Sequence, residues 1–326
     1  MQKTAFGLLS LLLFNISTVA SADGINRSNE PIQPIPQTVQ VDARKVDLGD
    51  RLFHDERLSG DNSISCAHCH ALDQGGVDGT RHSFGVEGRE GPINSPTVYN
   101  SGLNFVQFWD GRAATLEDQV EGPVHAGKEM DSNWQQVIKK LSADKRYPRD
   151  FKGIYKDGMT SENIKNAIAE FERSLNTPNS RFDRYLRGED DAISDDEKTG
   201  YVLFKDYGCV ACHQGANVGG NMYQTFGVMG DYFKDRGSVT KVDYGRYNVT
   251  GNEEERYLFK VPSLRMVTLT APYFHDGSEE KLEDAIKVMA KYQLGRKIPD
   301  EDIGLMIQFL HTLAGEYNGR SLEPKR

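Results

Sequence analysis

The 326-residue chain is short of cysteine, tryptophan, strand-forming runs and positive charge. Its four cysteines begin only at Cys66, so no thiol near the N-terminus could accept a lipid anchor. No apolar run approaches the roughly 20 residues that span a bilayer. The N-terminal apolar stretch, Ala5 to Leu13, is too short and is soon interrupted by Asn15. With Lys3 before it and Ala20-Ser21-Ala22 after it, residues 1–22 read as a cleavable export signal. A soluble exported protein starting near Asp23, with no membrane span, is expected. The net charge of −9 makes nucleic acid a poor partner. It suits a partner with a basic docking face, or it serves solubility alone. The length favours two compact domains over one.

What cysteine there is falls in two C-x-x-C pairs, Cys66/Cys69 and Cys209/Cys212, each followed directly by a histidine, His70 and His213. Two redox disulfides would have no use for those histidines. One four-cysteine zinc site would leave them idle and would need the pairs to meet across a long separation. Attachment of two c-type haems uses every residue, with two thioethers and one proximal imidazole per haem. With 8 His in the chain, chance puts one after a given pair about 1 time in 40. The haem reading is therefore preferred. His68, between the first two cysteines, is expected to be a solvated side chain.

The haem segments repeat each other. Gly49 to Phe53 (GDRLF) precedes the first pair and Gly200 to Phe204 (GYVLF) the second. Downstream, FWDGRAATLED (Phe108 to Asp118) answers FHDGSEEKLED (Phe274 to Asp284), and Pro96 and Pro262 stand at matching distances before them. Two homologous domains follow from this pattern. Helical periodicity covers Trp134 to Ser142, Ser161 to Asn176, Ser194 to Asp206, Leu282 to Tyr292 and Asp300 to Leu313, with Ser161, Ser194 and Asp300 as N-caps. The expected fold is mainly α: two cytochrome c-like haem domains, residues 23–178 and 179–326, joined near Thr177-Pro178-Asn179-Ser180. Long Gly-rich loops (Gly75-Gly76, Gly79, Gly219-Gly220) should wrap the haems.

The repeats then diverge. Met289 follows the second FHDG motif on a helix and could bind iron through its thioether, which raises a haem's potential and closes it to ligands. Core packing is the alternative use for such a Met. Gln119 and Glu129 follow the first motif; both are poor iron ligands but useful hydrogen-bond and proton partners. Glu129 could equally be a surface acid.

These residues resemble the bacterial dihaem cytochrome c peroxidase family over about Val46 to Gly315. The motifs that match are RLS-x5-SCAHCH, GGVDG, NSPTVYN, QFWDGRAATLEDQVEGP, GCVACH, DYGRYNVT, VPSLR, APYFHDG and LEDAIKVM. The resemblance implies a periplasmic enzyme whose N-terminal haem reduces hydrogen peroxide. Its C-terminal haem would take electrons from a small cytochrome c or blue-copper protein. It further implies Met289 as sixth ligand of the electron-transfer haem, Gln119 and Glu129 as distal residues, and Trp109 as an electron path between haems. Asn94, Thr270 and Pro272 match the surroundings of an interdomain calcium ion, with Thr270 and Pro272 offering carbonyl oxygens. A homodimer is also implied.

One position departs from the family pattern. Many members carry a distal His on the loop between GGVDG and NSPTV, where this chain has Val86, and valine cannot ligate. His82 or His125 could substitute, but an iron without a sixth protein ligand is the preferred expectation. Two rival functions remain. A MauG-type oxidase of a partner protein would use a tyrosine axial ligand, for which Tyr292 is the nearby candidate. A non-catalytic dihaem carrier would need neither Gln119 nor Glu129.

Overall fold

The computed structural model describes residues 27–323, so the proposed export signal lies outside the described residues. Helices of nine or more residues are α1 (Ala43–Phe53), α2 (Leu116–His125), α3 (Trp134–Ser142), α4 (Arg146–Ile154), α5 (Ser161–Ser174), α6 (Asp195–Asp206), α7 (Leu282–Tyr292) and α8 (Asp300–His311). Sheet among the described residues is limited to two antiparallel pairs. Strand β1 (Tyr223–Thr225) pairs with β2 (Leu258–Lys260), and β3 (Glu316–Tyr317) with β4 (Arg320–Ser321). The protein is mainly helical.

Caps place the helices. Asp42 accepts a hydrogen bond from the Arg44 amide at the start of α1, and Ser194 and Glu197 form a reciprocal capping box on α6. Two expected caps shift by one residue. Thr160, rather than Ser161, accepts from the Asn163 amide, and Pro299 precedes α8. Asp300 instead lies in the first turn with Glu301 and Asp302, where carboxylates favour the positive end of the helix.

The same helix crossing is built twice. Helix α1 meets α5 at Gly49, where a β-carbon would lie 1.9 Å from the Ala167 carbonyl oxygen. Helix α6 meets α8 at Gly200, where it would lie 2.0 Å from the Leu305 carbonyl oxygen. Glycine inside a helix costs about 0.5–1 kcal/mol relative to alanine. The close approach of backbones explains its use at both points. Around the first crossing pack Leu48, Leu52, Ile164, Ile168 and Phe171, and around the second Phe182, Tyr201, Phe204, Met306 and Phe309.

The turns ahead of α2 and α7 also match. Phe108 and Phe274 both hold left-handed backbone (φ 68° and 70°), as do Gly111 and Gly277. Bridges between Gln107 and Ala113, and between Tyr273 and Glu279, close the two turns. A bulky residue in that conformation is uncommon and needs surrounding structure to hold it.

The segment from Thr177 to Ser180 is anchored in the interior at both ends, with Pro178 and Asn179 half-buried between. Thr177 is fully buried and exchanges hydrogen bonds with the Asn100 side chain, both at 2.8 Å. The Pro178 carbonyl accepts from the Glu316 amide, and the Ser180 hydroxyl accepts from Arg265. Arg265 forms a fully buried ion pair with Asp183 at 2.8 Å. Buried backbone groups need internal partners, and Thr177, Pro178 and Ser180 find them here.

Candidate haem sites

Cys66 packs against the core built on α1 and α5, and Cys209 against the core built on α6 and α8. Burial pushes the Cys66 thiol well up and those of Cys69 and Cys209 to about 11. The only His/Cys/Asp/Glu group among the described residues close enough to share an ion is Asp243, His275 and Asp276. Arg236 already bridges its two carboxylates, at 2.7 Å each. The geometry therefore offers no four-cysteine metal site.

Each motif histidine is held by the same device. His70 Nδ1 lies 3.3 Å from the Gly76 carbonyl oxygen and His213 Nδ1 3.3 Å from that of Val218. The carbonyls of Pro96 and Pro262 approach the same two rings. Burial lowers the basicity of both, that of His213 to about 4, so each is a neutral imidazole. A backbone carbonyl on Nδ1 fixes the tautomer and leaves Nε2 for a metal. His68 is exposed.

Around His213 lies a cavity of about 420 Å³ with a mainly apolar wall that includes Cys209, Cys212, Met289 and Leu310. Lys260 also lines it, 6% exposed, and burial lowers its ammonium to about 8. No carboxylate pairs with it among the described residues. A buried unpaired cation in an apolar cavity calls for an anion. A haem bound through Cys209 and Cys212 would bring carboxylates and aromatic surface together, so the residues present fit that group. Sequence reading missed Lys260; its signal was a lone Lys inside the apolar run YLFKVP.

Met289 reaches the cavity from α7. Tyr292, three residues on, donates from its hydroxyl to Asp235 at 2.9 Å and accepts from Lys291 at 2.7 Å. Trp109 comes from the first repeat yet lines this second cavity. Its Nε1 donates to the Asn94 carbonyl at 3.0 Å, and its own carbonyl accepts from the Lys260 amide at 2.9 Å. Its ring stands edge-on to His275, its counterpart in the repeat, at 6.4 Å. Asn94, Thr270 and Pro272 line the same cavity, and Asn94 Nδ2 donates to the Thr80 carbonyl at 3.0 Å.

The first site is furnished differently. Glu129 follows α2, and burial raises its carboxyl above the usual range, partly offset by Arg112. The Glu129 carbonyl accepts from the Val86 amide at 2.9 Å, so Val86, 2% exposed, sits against Glu129. Gln119 lies partly buried in α2. The two candidate substitute histidines have other partners. His82 Nδ1 is 2.9 Å from a Glu90 carboxylate oxygen, and exposed His125 has Nδ1 3.0 Å from the Glu121 carbonyl oxygen.

Two C-x-x-C-H motifs, each under a glycine helix crossing with a carbonyl-held histidine, define a dihaem c-type protein. A family model described as di-haem cytochrome c peroxidase matches residues 43–191. Cytochrome c551 peroxidase of Nitrosomonas europaea is 43% identical, over 94% of this chain and 91% of its own. Cytochrome c peroxidase Ccp of Escherichia coli is 51% identical over 89% of this chain, which spans 62% of that protein's length. A crystal structure of a MauG-like protein associated with microbial copper homeostasis matches with a TM-score of 0.75 and 27% identity. It covers 87% of this chain and 93% of its own. The chain belongs to the di-haem cytochrome c peroxidase family.

Proposed function

We propose that this protein is a periplasmic cytochrome c peroxidase, which reduces hydrogen peroxide to two waters with two electrons and two protons. The observation that carries this reading is the asymmetry of the two sites: a half-buried carboxyl on the Glu129 segment that packs on Val86 in the first, a thioether lining the cavity of the second. When bound, the haems supply the redox couples and the iron at which peroxide is reduced. Cys66, Cys69 and His70 would hold one haem, and Cys209, Cys212, His213 and Met289 the other.

The chain's own groups do the proton work. Glu129, with its raised affinity for protons, accepts one from the near oxygen of peroxide and delivers it to the far oxygen. Gln119 orients the substrate by hydrogen bonding. Val86 offers no ligand, so a haem held by Cys66, Cys69 and His70 would take none from this loop position and would remain accessible to peroxide. Trp109, in the wall of the second cavity, lies on the electron route to the first site. The donor is a small reduced cytochrome c or blue-copper protein, docking on this acidic chain through a basic face.

The same reading assigns two homologous haem domains, residues 23–178 and 179–326, with Gly-rich loops around the haems and residues 1–22 removed on export. Asn94, Thr270 and Pro272 supply oxygen ligands to a calcium ion, and the enzyme works as a homodimer. Asn94 fits this role because its amide nitrogen is committed to a carbonyl, which directs its oxygen elsewhere. The commitment of the Tyr292 hydroxyl to Asp235 and Lys291 favours Met289 as the axial group and disfavours a MauG-type oxidase.

Peroxide consumption driven by reduced cytochrome c tests the proposal on protein carrying two haems. Donor oxidation at two equivalents per peroxide is expected. Loaded protein that takes electrons from cytochrome c or a cupredoxin but passes none to peroxide would leave the electron-carrier reading in its place.

A further inference from the structure

The two helix crossings fix a residue-by-residue correspondence between α5 and α8. At Gly49 a β-carbon would meet the Ala167 carbonyl and the Phe171 β-carbon; at Gly200 it would meet the Leu305 carbonyl and the Phe309 β-carbon. Ile168 therefore corresponds to Met306, and Glu172 to Leu310. Met306 and Leu310 both line the cavity around His213. The matching face of α5 is likewise turned inward, with Ile168 1% and Glu172 6% exposed.

One member of this set breaks the apolar pattern. Glu172 Oε2 is buried without a hydrogen-bond partner. The next residue, Arg173, is committed to Glu117 at 2.7 Å and Glu170 at 3.2 Å. Cys66 packs against the same core as Ile168 and Phe171, the neighbours of Glu172 on α5. Burial pushes the Glu172 carboxyl up to about 8, so the acid keeps its proton at neutral pH until a nearby positive charge favours the carboxylate. An acid in an apolar wall is costly unless something there compensates it. Oxidised haem iron carries one more positive charge than reduced iron, and in a low-dielectric interior a nearby carboxylate is felt strongly.

We propose that Glu172 is a tuning residue for the first haem. Set where the second site has Leu310, it loses its proton more readily beside oxidised than beside reduced iron, and so favours the oxidised state and lowers that haem's reduction potential. The inference rests on Cys66-Cys69-His70 being a haem site. Reduction of either iron takes one electron from the donor. A lower first potential keeps that electron on the second haem until peroxide reacts. Glu172 thus adds to the difference in axial ligation between the sites.

The test is an optical potentiometric titration of the purified holoprotein, with haem counted per chain by pyridine haemochrome. Glu172→Gln removes the ionisable group at nearly constant shape, and Glu172→Leu copies the second site. Both should raise the first midpoint by a tenfold change in the oxidised-to-reduced ratio, about 59 mV for one electron, and leave the second in place. Leu310→Glu should lower the second midpoint. First midpoints unchanged in both Glu172 variants would overturn the proposal. Should the Leu variant fail to retain two haems, the near-isosteric Gln variant decides alone. Wild-type protein with haem only at Cys209-Cys212 would overturn the haem assignment itself, and the tuning role with it.

Discussion

The two haem segments share a scaffold and differ in what is mounted on it. Both bring a helix glycine against a carbonyl, hold a histidine Nδ1 at 3.3 Å from a backbone oxygen, and turn through a left-handed phenylalanine. Against that common frame stand Trp109 and His275, Glu172 and Leu310, and a half-buried Glu129 on one side with Met289 on the other. The shared features are those that place a histidine and a helix pair. The differing ones decide what the bound group meets on its open side. A duplicated fold can thus yield two chemistries without altering its helix crossings, because the distal residues lie after the conserved turns.

Removing what is special to the second site should have the largest effect. Met289→Ala or Met289→His is expected to abolish turnover driven by a reduced donor while both haems stay attached. Met289→His should also lower the second haem's potential, since imidazole replaces thioether. Unchanged potential and turnover would strike Met289 from the ligand set.

Removing what is special to the first site comes next. Glu129→Gln should slow peroxide reduction about 100-fold or more, the scale of a lost general acid–base group. Rapid mixing of oxidised enzyme with peroxide reads this directly, and wild-type rates would end the assignment.

The shared scaffold predicts a symmetric result. Gly49→Ala and Gly200→Ala each force a methyl onto a carbonyl and should each cost about 1–3 kcal/mol, as overpacking does. Denaturant unfolding of the holoprotein checks it. A loss at one glycine only would show that the crossings are not equivalent.

The mildest changes concern Val86. Without a ligand there, the oxidised enzyme should react with peroxide before any reduction, and its spectrum should contain a high-spin component beside a low-spin one. Val86→His should turn the first haem low-spin and introduce a lag that reduction relieves, since one site would then bias a bistable loop. His82→Ala and His125→Ala should change neither property. Electron paramagnetic resonance of the oxidised proteins distinguishes these outcomes; a wholly low-spin wild type that is inert to peroxide would mean that a substitute ligand exists.

The sequence by itself determined the two C-x-x-C-H anchors, the duplication, and helices such as Trp134–Ser142 and Leu282–Tyr292, whose bounds match the periodicity. These features depend on residues close along the chain, where spacing alone fixes which groups can meet. Gly49 and Gly200 were legible as equivalent, though the reason for glycine appeared only when α5 and α8 were laid against them. Tertiary structure alone decided the rest. It showed Trp109 of the first repeat in the wall of the second cavity, the Thr177–Ser180 connection held in the interior, and Lys260 buried without a counter-charge. It also set Val86 against Glu129, residues 43 positions apart in sequence. Glu172 gave no signal at all, for FERS on a helix reads as a solvated turn until Phe171 is seen packed on Gly49. Burial and charge pairing are sums over neighbours that the chain brings together from far along its length, and local pattern carries no record of them.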